Sequence, residues 1–333
     1  MAGGVFEAMN KVRPGAYIVF QSASQPLNMV GDRGIATLPI QMNWGANDTL
    51  IELTPEQLLD GSCESIIGCN IMEEESLIYQ QVLTDCVKVL LFRMDTGGVK
   101  ATLTLNTLTA TAKYAGTAGN KIAVSIVENG SNFDVITSFN GAVVDTQTGA
   151  LVGDIVDNDF VDFSGTSTAA LVANAGGELE DGENGTVVNN TYSKYFDLLK
   201  TAKWNTLGIP LETSTEIQAQ LKTFIKYMRD TVGTKVQAVA NNIDADTEGI
   251  ISTLNQGYKS DQYNITIPMF VARVTGMTAG CAINKSLTYY AFEDANEIIG
   301  QLSHEEIVSA LQSGKFVLSA RQDGVVVVEQ DIN

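Results

Sequence analysis

The chain has 333 residues, of which 39 are acidic and 20 basic, for a formal net charge of −19 with its single histidine neutral. Hydrophobic residues make up 44%, enough for a packed core, which excludes disorder. So negative a surface excludes nucleic acid and anionic membranes as partners.

The four cysteines, Cys63, Cys69, Cys86 and Cys281, form no CxxC pair and lack the spacing of a disulfide scaffold. They read as reduced, mostly buried thiols of a cytosolic protein. The opening "MAGGVFEAMNKVRPG" has no continuous apolar h-region, and no apolar run approaches the roughly 20 residues that span a bilayer. The expectation is a soluble protein made inside a cell, with no membrane insertion.

Residues 1–16 form an arm, broken by Gly3, Gly4, Pro14 and Gly15. "AYIVF" (Ala16–Phe20) reads as a first strand, and "GIATLPIQMNWG" (Gly34–Gly45) as a second, with Pro39 placing its end at an edge or bulge. In "LTPEQLLDG" Thr54, Pro55 and Gln57 open a capped short helix that ends at Gly61. "EEESLIYQQVL" (Glu73–Leu83) has acids at its start and apolar residues at helical spacing, and leads directly into the buried strand "CVKVLLFRM" (Cys86–Met94). A helix followed closely by a strand marks an α/β layer.

Composition shifts near Gly97. From Ala101 to about Tyr192 the chain is rich in Thr, Val, Gly, Asn and Asp, in short strand-like runs separated by Gly130, Asn140–Gly141 and Gly149. No helix of three turns is predicted before Thr168. This pattern predicts an all-β module, a small barrel or sandwich, leaving through the polar loop "NAGGELEDGENGT" (Asn174–Thr186).

The α/β pattern then returns. "SKYFDLLKTA" predicts a helix and "WNTLGIP" a strand. Thr213 and Glu216 predict a capping box for a helix running to about Thr231. "KVQAVAN" and "DTEGIISTLNQG" predict strands, and "PMFVARVTGMTAGC" (Pro268–Cys281) a helix with two internal glycines. "SHEEIVSALQSG" is a helix capped by Ser303 and Glu306. "KFVLSARQDGVVVVEQDI" is a hairpin turning at Asp323–Gly324. The predicted fold is therefore an α/β core domain with a mixed sheet and flanking helices, interrupted by an inserted all-β domain, with extended terminal arms. Its parts are 1–20 (arm and first strand), 21–97 (core), 98–190 (insertion) and 191–333 (core, ending in the hairpin).

Catalytic constellations are missing from the sequence. His304 falls at the start of a helix between Ser303 and Glu305–Glu306, the pattern of a solvated surface site. One histidine and scattered cysteines give no zinc set. "YAGTAGNKI" (Tyr114–Ile122) leads into a strand instead of a helix, so it is a turn and not a phosphate loop. "DIVDNDFVDF" (Asp154–Phe163) carries four aspartates without calcium-loop spacing; a solvated acidic loop is set against a weak cation site. No catalytic, cofactor or metal residue is assigned.

The termini are more informative. A strand ending on Val325, Val326, Val327, Val328 and Glu329 is normally a liability, since unpaired backbone groups invite another chain. An arm that cannot pack on its own domain can add to a neighbour's sheet, and a head-to-tail contact that does not close makes a helical array. The predicted inter-subunit pairing residues are Val12, Arg13, Pro14, Ala16, Tyr17, Ile18, Val19, Phe20, Val325, Val326, Val327, Val328, Glu329 and Ile332.

Three segments, "NKVRPGAYIVF" (Asn10–Phe20), "TAKYAGTAGNKIAVSI" (Thr111–Ile126) and "GKFVLSARQDGVVVVEQDIN" (Gly314–Asn333), resemble the tail sheath proteins of contractile phage tails and phage-tail-like bacteriocins, in particular the shorter sheaths of Gram-positive hosts. The resemblance implies a non-enzymatic subunit that stacks around a rigid tail tube, linked to neighbouring copies by its arms, with the β-insertion facing outward. It also implies metastable storage of energy, released on contraction to drive the tube through an envelope. Implied partners are further copies of the chain, the tail tube protein, and baseplate and tail terminator proteins, with no cofactor. The implied location is the bacterial cytoplasm during assembly, then the virion or an extracellular tail particle. Sheaths of this type usually continue past "EQDIN" with a further segment containing a basic strand-like stretch and a terminal helix, a point at which this sequence departs from the resemblance. Alternatives are another tail or baseplate component, or an enzyme with an α/β domain and β-rich lid.

Overall fold

The computed structural model describes residues 33–333, except 212–213, 245–246, 283 and 332–333. The strand expected at Ala16–Phe20 lies outside the described residues.

A seven-stranded sheet forms the base of the core. Its order is Leu50–Leu53, Lys88–Arg93, Ile35–Ile40, Thr206–Ile209, Gln237–Asn241, Ile250–Thr253, Lys315–Phe316. All neighbours run parallel except Leu50–Leu53, which is antiparallel to Lys88–Arg93. Successive side chains face opposite sides, as strand geometry requires. Leu90 and Phe92 pack with Tyr195, Phe196, Leu221 and Phe224 of the helices Thr191–Leu199 and Thr215–Lys226. Val89 and Leu91 pack on the other face with Tyr79, Val82 and Ala272. That face carries the helices Leu77–Leu83 and Ile267–Gly280.

Pro39 sits in the middle of the sheet, against the expected edge or bulge. The ladder to Thr206–Ile209 is held by Ala36 and Thr37 only, so it stops before the residue that lacks an N–H donor. The ladder to Lys88–Arg93 continues through Ile40. The helix Thr215–Lys226 is capped by Ser214, whose hydroxyl accepts from the Ile217 N–H; the predicted cap, Thr213, lies outside the described residues. A π-helical segment, Tyr227–Val232, prolongs it.

Ile267–Gly280 is the central helix, with every residue from Phe270 to Ala279 buried. Its two glycines allow it to touch Leu77–Leu83 backbone to backbone. A Cβ on Gly276 would lie 1.9 Å from the Val82 carbonyl oxygen, and one on Gly280 would lie 1.8 Å from that of Asp85.

The insertion is a β-sandwich. One sheet has the order Val161–Gly165, Leu108–Ala112, Thr102–Leu105, and the other Asn174–Glu178, Ile122–Asn129, Asn132–Phe139, Ala142–Gly149. Ile122, Val124, Ile126, Val135 and Phe139 face inward and close over Leu108, Ala110, Phe160 and Val161.

The core clamps this sandwich. Trp44, from the core, is fully buried within the insertion's hydrophobic cluster, edge-on to Tyr114 at 5.2 Å. Arg93 and Asp95 form a buried ion pair, with Arg93 Nε and Nη2 donating to Asp95 Oδ2 at 2.9 and 2.6 Å. Arg93 Nη1 donates to the carbonyls of Gly45, at 2.9 Å, and Ala115, at 2.8 Å. Asp95 Oδ1 accepts from the Met42 N–H. Each charge is thus hydrogen-bonded as well as paired, the condition under which burial is tolerated.

The segment Tyr114–Ile122 is a 3-10 turn, Thr117–Lys121, leading into a strand, and it forms this junction. Gly116 is in a left-handed conformation (φ 131°), and a Cβ there would lie 2.0 Å from the Asn43 carbonyl oxygen. The Asn120 amide donates to the Gly182 carbonyl and accepts from its N–H, joining the entry and exit of the insertion.

Candidate assembly surface

A second, three-stranded sheet lies beyond the central helix, in the order Ala291–Phe292, Val326–Val328, Leu318–Ala320, all antiparallel. The strand Ala291–Phe292 was not foreseen; its one local signal is the aromatic run "TYYAF" (Thr288–Phe292). Val326 and Val328 pack with Phe270, Phe292, Phe316 and Leu318.

Val325–Glu329, expected to pair with another copy, fall in and around a strand that is paired within this chain. Val326–Val328 is the middle strand, and both of its edges are filled by the same chain. Val328 donates to the Tyr290 carbonyl and accepts from the Tyr289 N–H. The Glu329 N–H donates to the Val317 carbonyl, and the Val325 carbonyl accepts from the Arg321 N–H. Asp331 then ties the chain to the loop 286–288, where its carboxylate accepts from the Leu287 N–H. No backbone group of the middle strand is left for a neighbour.

The hairpin is present, but its turn differs from the expected Asp323–Gly324 pair. The Gly324 N–H donates to the Arg321 carbonyl, so Gln322–Asp323 are the central residues and Gly324, at φ 85°, is the left-handed residue that follows. Val12, Arg13, Pro14, Ala16–Phe20 and Ile332 lie outside the described residues.

The two outer strands differ in availability. On Leu318–Ala320 the outward N–H of Leu318 is capped by Asn255 Oδ1 at 2.7 Å. Among the described residues Ala291 has no such cap. The Tyr290 carbonyl accepts from the Val328 N–H and Ala291 lies opposite Val327, so by strand alternation the N–H and C=O of Ala291 point away from the sheet. Among the described residues no strand covers that edge.

Beside it lies a cavity of about 650 Å³ lined by Gln80, Gln81, Thr84, Arg273, Tyr290, Ala291, Glu293 and Asp294. Tyr290 donates to Asp85 Oδ1 at 2.8 Å, and Tyr258 to Asp294 Oδ2 at 2.8 Å and Gln81 Oε1 at 3.0 Å. Burial, reinforced by the hydrogen bond to Asp85, pushes the Tyr290 phenol up to about 12. Burial and the Asp294 charge push Tyr258 higher still, so both remain neutral donors. Arg273, 5% exposed, lies 3.5 Å from Asp85 Oδ2 and 5.6 Å from the Phe292 ring centre.

The remaining candidates are individually accounted for. His304 is exposed at the first position of the helix His304–Gln312, behind the Ser303–Glu306 capping box. Asp154 accepts from the Ala150 and Leu151 N–H groups, and Asp157 from that of Phe163. Asp159 pairs with Lys113 and Asp162 with Lys100. The four aspartates are therefore used singly, and no group of three or more potential ligands that could hold a metal ion occurs among the described residues. Cys63, Cys69 and Cys86 are buried free thiols, raised by burial to about 11, 12 and 12. No helix among the described residues is long and apolar enough to cross a membrane.

Comparison with known proteins agrees with this architecture. The phage tail sheath protein central domain matches residues 185–333, and the phage tail sheath protein beta-sandwich domain matches residues 96–184. The chain is similar to the sheath tail protein of Desulfitobacterium hafniense, with a TM-score of 0.83 and 35% identity over 96% of this chain and 75% of that one. It is also similar to the sheath tail protein of Listeria innocua, with a TM-score of 0.82 and 32% identity over 91% of this chain and 69% of that one. In Bacillus subtilis (strain 168) it is similar to the phage-like element PBSX protein XkdK, at 31% identity over 355 aligned residues, covering 100% of this chain and 75% of that protein. The sandwich inserted into an α/β core is thus the architecture of a structural tail component and not that of an enzyme, and the chain belongs to the phage tail sheath family.

Proposed function

We propose that this sheath subunit polymerises helically around a tail tube by exchanging strands between copies, and that the array contracts to drive the tube through an envelope. The observation that carries the strand-exchange reading is the backbone edge at Ala291, which no strand among the described residues covers, in a sheet whose terminal strand is filled from within. An incoming strand gains backbone hydrogen bonds there with little demand on its side chains. The donor is the segment containing Val12, Arg13, Pro14 and Ala16–Phe20; Ile332, past the last paired strand, belongs to the outgoing end. The pinned sandwich supports contraction by movement of whole subunits, because Trp44 and the Arg93–Asp95 pair leave core and insertion no easy independent motion. Tube, baseplate and terminator proteins are the further partners, and assembly takes place in the host cytoplasm before release of the tail particle.

Electron microscopy of the purified chain tests this. Hollow cylinders that disappear on deletion of residues 1–15, with cooperative melting retained, support strand exchange. Loss of cooperative melting on that deletion places the arm in its own subunit's core and refutes it.

A further inference from the structure

Cys63 and Cys69 are too far apart in the sequence for a CxxC pair, but the fold brings them together. The short helix Cys63–Ile67 ends at Gly68, which is left-handed at φ 73°. The Gly68 N–H donates to the Glu64 carbonyl at 3.0 Å, the single bond of an αL closure. Such a closure folds the residue after the glycine back onto the first turn of the helix. That residue is Cys69, and the residue it meets is Cys63. The Cys63 thiol donates to the Cys69 carbonyl at 3.4 Å. Both residues are buried, 0% and 1% exposed, in one hydrophobic cluster with Leu58, Ile67 and Tyr79.

The other two cysteines stand apart. The Cys86 thiol donates to the Val82 carbonyl at 3.0 Å, and the Cys281 thiol to the Lys285 carbonyl at 3.5 Å, each within its own segment. Among the described residues, only the Cys63 sulfur is hydrogen-bonded to another cysteine.

We infer that Cys63 and Cys69 form a modification site, a dithiol that hydrogen peroxide closes to a disulfide. A disulfide spans Cα atoms roughly 4–7 Å apart, which is the reach of a residue folded back on the turn it closes. In the first step the Cys63 sulfur, as thiolate, attacks one peroxide oxygen. The O–O bond breaks, water leaves, and Cys63 becomes a sulfenic acid. The Cys69 sulfur then attacks the Cys63 sulfur, the S–O bond breaks, and a second water leaves. The two thiols give up two electrons and two protons, and the peroxide takes them up as water. Burial holds Cys63 up to about 11 and Cys69 up to about 12, so thiolate is scarce at neutral pH and the reaction is slow. A reducing cytoplasm keeps such a pair open, and a released tail particle leaves that pool behind.

The bond fixes the element that seats Trp44. Trp44 Nε1 donates to the Ser65 carbonyl at 2.9 Å, and a Cβ on Gly68 would lie 2.4 Å from the Trp44 Cβ. The helix Cys63–Ile67 therefore carries the plug between core and sandwich. A link from its first residue to the one past its closing glycine staples that seat, because it restricts the same loop in the unfolded chain.

The test uses the full chain, incubated folded with hydrogen peroxide at concentrations raised until Cys281, the one thiol of the four that is not buried, is oxidised. Free thiols are alkylated before digestion with glutamyl endopeptidase, which cuts after Glu64, between the two cysteines, and after Glu73, ahead of Cys86. Two peptides joined through Cys63 and Cys69 are expected, short of their summed mass by two hydrogens and separated by reduction. The closed form is expected to melt about 3 °C above the reduced one. Reduction should reverse that rise, and Cys63→Ala and Cys69→Ala should each lack it. Cys63 and Cys69 left as thiols while Cys281 is oxidised, sulfinic or sulfonic acid at either without a cross-link, or a cross-link to Cys86 would each overturn the inference. A Cys63–Cys69 bond that leaves the melting temperature unchanged or lowers it would overturn the stapling of the Trp44 seat.

Discussion

Replacing Gly276 by alanine probes the contact on which the core's second layer depends. An added methyl would meet the Val82 carbonyl oxygen at 1.9 Å, the Val82 carbonyl carbon at 2.8 Å and its Cα at 3.1 Å. All three are backbone atoms, so no side-chain rotation relieves the overlap. Non-bonded carbon contacts are comfortable at about 3.5–4.0 Å, so the two helices must separate by roughly 1.5 Å. Overpacking of this kind costs up to about 3 kcal/mol, and an alanine in a helix returns about 1 kcal/mol relative to glycine. The net loss is then about 2 kcal/mol, or a fall in Tm of about 3 °C for a chain of this size. The control is Gly177→Ala, where a Cβ meets nothing within 4 Å and the change is expected within about 0.5 kcal/mol. Thermal unfolding followed by circular dichroism measures both. If Gly276→Ala melts at or above the parent temperature, the close backbone contact does not limit this packing and the reasoning fails.

Three further outcomes are expected. Arg93→Leu leaves Asp95 buried and uncompensated and strips partners from the Gly45 and Ala115 carbonyls; urea denaturation should show a loss of about 3–5 kcal/mol, and a change under 1 kcal/mol would refute the junction's ionic role. Trp44→Ala empties the plug between core and sandwich, with an expected cost of about 3–5 kcal/mol and faster proteolytic cleavage within residues 96–184. The buried thiols predict an alkaline limit. Cys63, Cys69 and Cys86 titrate in the fold near 11, 12 and 12, above the unfolded value of 9.0, because burial disfavours the thiolate. Their stabilising effect is therefore complete below pH 9 and declines as the pH rises through 9 to 12. Tm should fall over that range, and a Cys63→Ala/Cys69→Ala/Cys86→Ala variant should fall less steeply; equal slopes would exclude the thiols as the cause.

Much of this molecule was legible along the chain because the signals are local. The capping boxes at Thr54–Gln57 and Ser303–Glu306 close within one turn, and both are formed. The step from "EEESLIYQQVL" to "CVKVLLFRM", and the Thr- and Gly-rich strands after Gly97, likewise announce their elements within ten residues, and the two sides of that composition change are the α/β core and the sandwich. What only the tertiary structure decided is which strand lies beside which. Pro39 suggested an edge but stands mid-sheet, because a proline needs only one side of its strand free of a donor and the ladder there has already ended. Val326–Val328 suggested an open strand, yet the short Ala291–Phe292 closes one side of it and moves the open edge to Ala291. Whether a backbone N–H is satisfied depends on partners far away in the chain, and no local pattern of side chains records them.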